Sequence, residues 1–326
     1  SFGFQPVATS AVEDLSTLTG QGGGENEKLI FKLMKRGEAL ERAQAERTEL
    51  ADLGLRFDLT LPLARWYSKH GSQLPHPFKA FHMGPVWRAE RAQKGRYREF
   101  TQCDVDIIGS DSWGAEAEII TAILTVFAQC GLHGVKVHLN DRRLVDAALS
   151  AAGVADDKCG AACVCVDKLD KIGREAVISE LVALVGQAAT DALVKTLRAG
   201  DAPASDTLGK ISAAVKALIP ASEILIDPSL MRGMGYYTGP VFEFRHASLS
   251  GSLGGGGRYD KLTEKFGGPN TPACGGSIGF ERLLLILEET GKAGGQAACD
   301  AVVTVFSDEL RGRSIEVGAF LRAKGL

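Results

Sequence analysis

The chain has 326 residues, a formal net charge of −3, and 45% apolar and 24% charged residues. That length suits one large domain or two ordinary ones, and the balance is that of a soluble globular protein. It excludes a general basic field, so any RNA contact must come from local patches, and no apolar run reaches the ~18 residues needed to span a bilayer.

Seven cysteines (Cys103, Cys130, Cys159, Cys163, Cys165, Cys274 and Cys299) make an odd number. Cys159, Cys163 and Cys165 lack the paired spacing of structural zinc, so no metal site made of protein ligands alone is expected. Reduced thiols in a cytosolic or organelle-matrix compartment are expected, with the cytoplasm as the reading taken. A chain that opens Ser-Phe-Gly-Phe, with no methionine and no signal peptide, is expected to start inside a longer protein.

Phe2 to Thr9 reads as an extended strand leading into Glu13-Asp14-Leu15. Gln21-Gly22-Gly23-Gly24-Glu25-Asn26 is glycine-rich but is not a phosphate loop, because no Gly-Lys-Ser/Thr follows. Glu27 to Glu49 carries helix formers with Ile30, Leu33 and Met34 as its apolar face. Leu53 to Asp58 is a strand, and Thr60-Leu61-Pro62 opens a helix with proline in its first turn. Asp58 and Thr60 sit at that junction, either as plain caps or as rigid acceptors for an ammonium group.

Lys79 to Gly109 is the stretch densest in chemistry. It reads as two strands joined by a basic loop, the first running to about Glu90 and the second starting near Arg98. Side chains alternate faces with period two. Arg88 and Glu90 therefore share one face, and so do Phe100, Gln102, Asp104 and Asp106. Guanidiniums grip phosphate oxygens in pairs, a ring offers a face for a base, and carboxylates with an amide suit an amine or a protonatable ring. The combination points to a nucleoside triphosphate beside a small cationic or amphoteric ligand.

The ordered string Arg88, Glu90, Arg96, Phe100, Gln102, Asp106 resembles motif two of class II aminoacyl-tRNA synthetases, specifically of the histidyl-tRNA synthetase family. Asp58-Leu59-Thr60 is similar to the Asp-Leu-Thr with which eukaryotic-type members contact the amino acid. A proline common in motif one falls near Ser10, a departure from the family's pattern.

Further along, Ala115 to Cys130 is an apolar helix and Val135 to Asn140 an alternating strand, with His138 read as structural. From about Asp141 to Pro220 the chain becomes alanine-rich and helical, without a chemical constellation. Its place suits the family's helical insertion, which resembles a clamp for the tRNA acceptor arm. Ile224 to Asp227 is a strand. Arg232-Gly233-Met234-Gly235-Tyr236-Tyr237-Thr238-Gly239 then resembles the histidine-specific motif Arg-Gly-Leu-Asp-Tyr-Tyr-Thr-Gly, with Met234 and Gly235 as its two departures. On an extended segment Tyr236 and Tyr237 would point to opposite faces.

Pro240 to Arg245 alternates as a strand, and Ser252-Leu253-Gly254-Gly255-Gly256-Gly257-Arg258-Tyr259-Asp260 resembles a second histidine-specific motif. Pro272 to Leu287 resembles motif three, a strand and then a helix with Arg282 in its first turn and Phe280, Leu283, Leu284 and Leu287 on one face. Residues 300–306 alternate like a new strand.

The resemblance implies an α+β fold, a six- or seven-stranded antiparallel sheet flanked by helices with a helical insertion, working as a homodimer. The core would comprise residues 1–140 and 221–295, the insertion 141–220, and 296–326 the start of an anticodon-binding-like domain. The implied activity is ligation of L-histidine to tRNA(His) with ATP and Mg²⁺.

By the same resemblance Arg88 holds the histidine carboxylate and the α-phosphate, Glu90 reads the adenine amino group and Phe100 stacks on the ring. Arg96 and Arg282 grip the outer phosphates, and Arg232 faces the α-phosphate from the far side. Asp58, Thr60 and Gln102 bind the α-ammonium group. Asp106 with Tyr236 or Tyr237 brackets the imidazole, which offers one donor and one acceptor when neutral. The competing readings are a non-catalytic histidine-binding regulatory subunit of ATP phosphoribosyltransferase, and a tRNA-sensing module. Retention of Arg88, Arg232 and Arg282 together favours the ligase.

Overall fold

The computed structural model describes residues 2–19, 27–93, 95–196, 205–231, 235–249, 251–291 and 299–325, with 170 and 171 described by backbone only. The chain divides into two compact units, Ser1–Ile286 and Leu287–Leu326.

In chain order the strands are β1 (Gln5–Pro6), β2 (Val12–Asp14), β3 (Lys32–Met34), β4 (Ala51–Leu55), β5 (Phe78–Trp87), β6 (Glu99–Ile108), β7 (Lys136–Asp141), β8 (Glu223–Ile226), β9 (Pro240–Arg245), β10 (Ser252–Arg258) and β11 (Ala273–Gly279). The helices are α1 (Leu15–Leu18), α2 (Glu38–Glu46), α3 (Thr60–His70), α4 (Gly114–Gln129), α5 (Arg142–Ala151), α6 (Asp156–Asp167), α7 (Leu169–Ile172), α8 (Arg174–Val185), α9 (Gln187–Thr196), α10 (Asp206–Leu218), α11 (Phe280–Glu289) and α12 (Arg311–Ala323).

The main sheet has eight strands in the order β1-β5-β6-β11-β10-β9-β7-β8. Its interior is antiparallel. The count exceeds the six or seven expected because a short strand joins in parallel at each edge, β1 on β5 and β8 on β7.

The glycine run of β10 lies in the middle of this sheet and not in a flexible linker. A Cβ at Gly256 would fall 2.0 Å from the carbonyl oxygen of Gly275, so only glycine permits β10 and β11 to approach this closely. One face of the sheet packs against α3 through Phe57, Leu61, Tyr67, Phe78, Tyr236 and Tyr259. On the other face α4 brings Ile119 and Ile123 against Gly276.

A smaller antiparallel sheet, β2-β4-β3, holds Ile30 and Leu18 under it. The helix expected over Glu27 to Glu49 is thereby corrected: residues 32–34 form β3 and only Glu38–Glu46 is helical. Leu33 pairs with Leu53 across the ladder, so tertiary pairing overrides the helical propensity of the segment. The glycine-rich stretch 21–26 lies outside the described residues.

Helices α5, α6, α8 and α9 enclose a core of their own, with Leu149, Ala162, Cys163, Cys165, Leu181 and Leu193 buried. By contrast α10 packs on α4. His138 is structural, its Nδ1 2.8 Å from Asp227 Oδ2. In α11, Leu283 and Leu287 of the expected face are buried together with Ile286, whereas Leu284 is exposed. In the second unit, residues 301–306 make no ladder among the described residues and Phe306 is 90% exposed, so the strand expected there is absent from the described chain. No described helix is long and apolar enough to cross a membrane.

Candidate active site

The β5–β6 hairpin sets the floor of the site. Its register pairs Trp87 with Glu99, Gly84 with Gln102, His82 with Asp104 and Ala80 with Asp106. The pleat therefore puts Phe100, Gln102, Asp104 and Asp106 on one face, and the last three are buried. β5 stops at Trp87 instead of reaching Glu90, although Arg88 N still donates to Arg98 O at 2.8 Å. Beyond that bond the chain turns through Gly95, whose φ of 73° lies in the left-handed region.

Above the hairpin a cleft is lined by Arg88, Glu90, Arg96, Phe100, Gln102 and Arg282, with Ser277 and the β10 glycines on its far wall. The Arg88 guanidinium lies 5.0 Å over the Phe100 ring, and its Nε donates to Phe57 O at 3.0 Å. Arg96 pairs with Glu90 at 3.3 Å. Arg282 bridges the hairpin tip and the start of β10, Nη1 donating to Ser252 O at 2.6 Å and Nε to Gly95 O at 3.1 Å. Burial, then the charges of Arg96 and Arg88, lowers the proton affinity of Arg282. A guanidinium half-buried beside two others suits a polyanion.

The deeper half is acidic. Gln102 Nε2 donates to Ser277 Oγ at 2.9 Å and to Asp104 Oδ1 at 3.4 Å, while its Oε1 accepts from Arg88 Nη2 at 3.4 Å. Asp58 Oδ1 accepts from Leu61 N at 3.1 Å, capping α3, and Oδ2 accepts from Tyr236 Oη at 3.4 Å. Thr60 lies close enough to the Tyr236 hydroxyl to lower its proton affinity against the rise that burial causes.

Asp106 accepts a short hydrogen bond from Tyr259 Oη on one carboxylate oxygen, while its Oδ2 is buried without a partner among the described residues. Burial raises the Asp106 carboxyl to about 7, with Asp58 adding to the rise and Tyr259 opposing it. Burial and the neighbouring Asp106 hold Asp104 well above the usual carboxylate range.

Arg88, Glu90, Arg96, Phe100, Gln102 and Arg282 thus converge on one cleft. Asp58, Thr60 and Tyr236 form one cluster beside it. Arg232 lies outside the described residues. Tyr236 and Tyr237 do not face opposite ways: residues 235–236 form a turn, and the two rings lie 5.0 Å apart at 59°. The hydroxyl on Asp106 belongs to Tyr259, which packs edge-on against Tyr236 at 6.1 Å.

Sequence reasoning gave Tyr259 no role. Its one signal was an aromatic residue ending a glycine run, and the meaning of that run depended on its becoming a central strand. Among the described residues no group of three His, Cys, Asp or Glu side chains is placed to hold a metal. The seven cysteines are all free.

A largely antiparallel sheet, with a cationic cleft on a long central hairpin and a glycine strand beside it, defines the class II aminoacyl-tRNA synthetase catalytic fold. The family model described as histidyl-tRNA synthetase matches residues 1–283. The histidine--tRNA ligase of Leifsonia xyli subsp. xyli is 40% identical over 99% of this chain and 81% of its own length. The probable histidine--tRNA ligase of Tropheryma whipplei is 38% identical over 89% and 74%. The chain belongs to the histidyl-tRNA synthetase family.

Among solved structures, the histidyl-tRNA synthetase of Nostoc sp. PCC 7120 superposes with a TM-score of 0.72 at 27% identity, covering 100% of this chain and 77% of that one. A Bacillus halodurans protein described as an ATP phosphoribosyltransferase regulatory subunit/histidyl-tRNA synthetase shares the fold, with a TM-score of 0.75 at 22% identity over 99% and 83%.

Proposed function

We propose that this chain is a histidine–tRNA ligase, which activates L-histidine with ATP to histidyl-adenylate and transfers the histidyl group to tRNA(His). One observation carries the reading. Gln102 joins the guanidinium cleft, through Arg88, to a buried acidic pocket whose Asp106 keeps a carboxylate oxygen without a partner.

In this proposal Phe100 stacks on adenine, Glu90 accepts from its amino group, and Arg96 and Arg282 hold the outer phosphates. Arg88, now over Phe100, swings onto the α-phosphate and the histidine carboxylate; Arg232 meets the same phosphate from the other side. Asp58, Thr60 and Gln102 take the α-ammonium group. Asp106 accepts from one imidazole nitrogen, with Tyr259 bracing the carboxylate; Tyr236 is engaged with Asp58 and closes the pocket wall.

Mg²⁺ fits the donor set as a partner of the phosphates. It favours one or two carboxylates plus phosphate and water oxygens, and Glu281, which lines the cleft, spends one oxygen on Thr101 N at 2.7 Å. When bound, the ion neutralises phosphate charge.

A histidine carboxylate oxygen attacks the α-phosphorus in line. The new O–P bond replaces the bond to pyrophosphate, which leaves with its electron pair. The chain's own residues act by positioning and by charge, and no protein nucleophile is required. In the second step a ribose hydroxyl at the tRNA 3′ end attacks the activated carbonyl and AMP leaves. A non-imidazole amino acid would leave Asp106 Oδ2 buried without a donor, a mismatch that supports rejection on the order of 10⁴-fold.

The homodimer, the cytoplasmic location, the core over 1–140 and 221–295, the insertion over 141–220 as an acceptor-arm clamp and the 296–326 segment as an anticodon-binding-like start all belong to this proposal through the family resemblance. Pyrophosphate exchange with each of the twenty amino acids tests it. Exchange with histidine alone is expected. Histidine binding without exchange would instead favour the regulatory subunit.

A further inference from the structure

We infer that the buried Glu116–Arg258–Asp260 network is a positioning device for Tyr259, and that through Tyr259 it sets the pocket's selectivity for an imidazole side chain. The inference rests on reading Asp106 and Tyr259 as the imidazole pocket.

Tyr259 sits between two members of the network. Arg258 meets Glu116 with two parallel bonds, Nε to Oε1 at 2.6 Å and Nη2 to Oε2 at 2.8 Å. Its Nη1 donates to Asp260 Oδ1 at 3.0 Å and to Ser110 O at 3.0 Å, and Nη2 donates to Ser112 O at 3.2 Å. Asp260 Oδ1 also accepts from Ala273 N at 3.0 Å, and Tyr259 N donates to Ala273 O at 2.7 Å. The backbone on both sides of Tyr259 is therefore tied to β11, to the loop before α4 and to the first turn of α4. Arg258 is 7% exposed and Glu116 is fully buried.

A second tie comes from Thr238. Its N donates to Arg258 O at 2.8 Å, and its Oγ1 accepts from Asp260 N at 3.1 Å. Thr238 follows Tyr237, so the same network fixes the end of the tyrosine turn that walls the pocket.

A fork of this kind fixes angle as well as distance. Glu116 turns both carboxylate oxygens to Arg258, so the route from this pair to the acidic pocket runs through Arg258 into the adjoining Tyr259. A pair that only stabilises the fold would weaken everything together. A positioning pair shifts the one interaction it orients.

The test is a double-mutant cycle between Glu116→Gln and Tyr259→Phe in the full chain, reading KM for histidine and for ATP in pyrophosphate exchange beside thermal unfolding. Glu116→Gln is expected to raise the histidine KM on the order of tenfold, to leave the ATP KM in place, and to add nothing once Tyr259→Phe has removed the hydroxyl. Arg258→Lys and Asp260→Asn, the latter at a side chain 33% exposed, give the same readout if Glu116→Gln does not fold.

The inference is overturned by an unchanged histidine KM, by equal rises in the histidine and ATP KM, or by full additivity with Tyr259→Phe. If Tyr259→Phe itself leaves the histidine KM unchanged, the pocket reading fails and this inference with it. An effect of Tyr259→Phe that Glu116→Gln does not share sinks only the inference.

Discussion

Gly275 is what allows the Asp106 carboxylate to reach the Tyr259 hydroxyl. Asp106 lies on β6 and Tyr259 just beyond β10, with β11 running between them and Gly275 directly opposite Asp106 in register. A Cβ at Gly275 would sit 1.9 Å from Asp106 Oδ1 and 3.3 Å from Tyr259 Cε1. The carboxylate occupies the place where any other residue would put its side chain.

Gly275→Ala should therefore displace Asp106. Overpacking of a filled interior costs roughly 1–3 kcal/mol, visible as a lower melting temperature. The sharper readout is selective: the histidine KM should rise by about tenfold or more as the braced acceptor is lost, with the ATP KM little changed. Parallel loss of both KM values would mean that the β11 backbone itself had moved.

Asp106 also gives the protein a pH dependence with a definite sign. Burial first, then Asp58, raises its carboxyl to about 7, against Tyr259, while an unfolded chain would show about 3.9. Asp104, beside it on the same face, is raised as well. A folded value above the unfolded one contributes stability that is complete below about 3.9 and is lost as pH rises through about 7. Asp106→Asn removes that loss and can still accept from Tyr259. It should melt about 3–6 °C above the parent at pH 8, with the gap narrowing towards pH 5, while kcat/KM for histidine falls by roughly 10² or more. A constant gap across that range would show that Asp106 does not titrate there.

Most of the arginine cleft was legible in the sequence because Arg88, Glu90, Arg96, Phe100 and Gln102 lie on one hairpin. Period-two alternation alone puts Phe100, Gln102 and Asp106 on a common face, and their register confirms it. The acidic pocket was not, because its partners meet across the sheet. Asp106 and Tyr259 are 153 residues apart, and nothing local shows that a glycine run becomes a central strand that ends on an aromatic ring. Residues 32–34 failed for a similar reason, since β3 exists only by pairing with β4. The turn at Tyr236 hid that the two tyrosine rings lie together.

Arg282 is expected to separate the two substrates. Its bonds to Ser252 O and Gly95 O hold the hairpin tip against β10, and a lysine has one head group where arginine has a fork. Arg282→Lys should lower kcat for histidine-dependent exchange by roughly 10²–10³ and raise the ATP KM. Histidine affinity measured without ATP should stay within about twofold, since Arg282 lies away from the acidic pocket by this reading. Equal weakening of histidine binding would show that the tip supports both pockets.

His82 should oppose Asp106 in its pH response. It is buried opposite Asp104 in register, with Nδ1 unpartnered among the described residues and the Arg56 guanidinium nearby. Burial first and then Arg56 depress its proton affinity to about 4, against about 6.5 in an unfolded chain. A depressed folded value means the stability contribution is complete above about 6.5 and is lost as pH falls towards 4.

His82→Leu, near in volume and unable to titrate, also removes the orphaned nitrogen. Its stability relative to the parent should improve as pH falls from 7 to 5 and stay flat between 7 and 8. Denaturant titrations at pH 5, 6, 7 and 8 measure this directly. Since Asp106→Asn changes stability most at the alkaline end and His82→Leu at the acid end, the double variant should show a flatter profile than either. A profile that keeps the parent's acid slope in His82→Leu would assign that slope to other groups and leave His82 a packing residue.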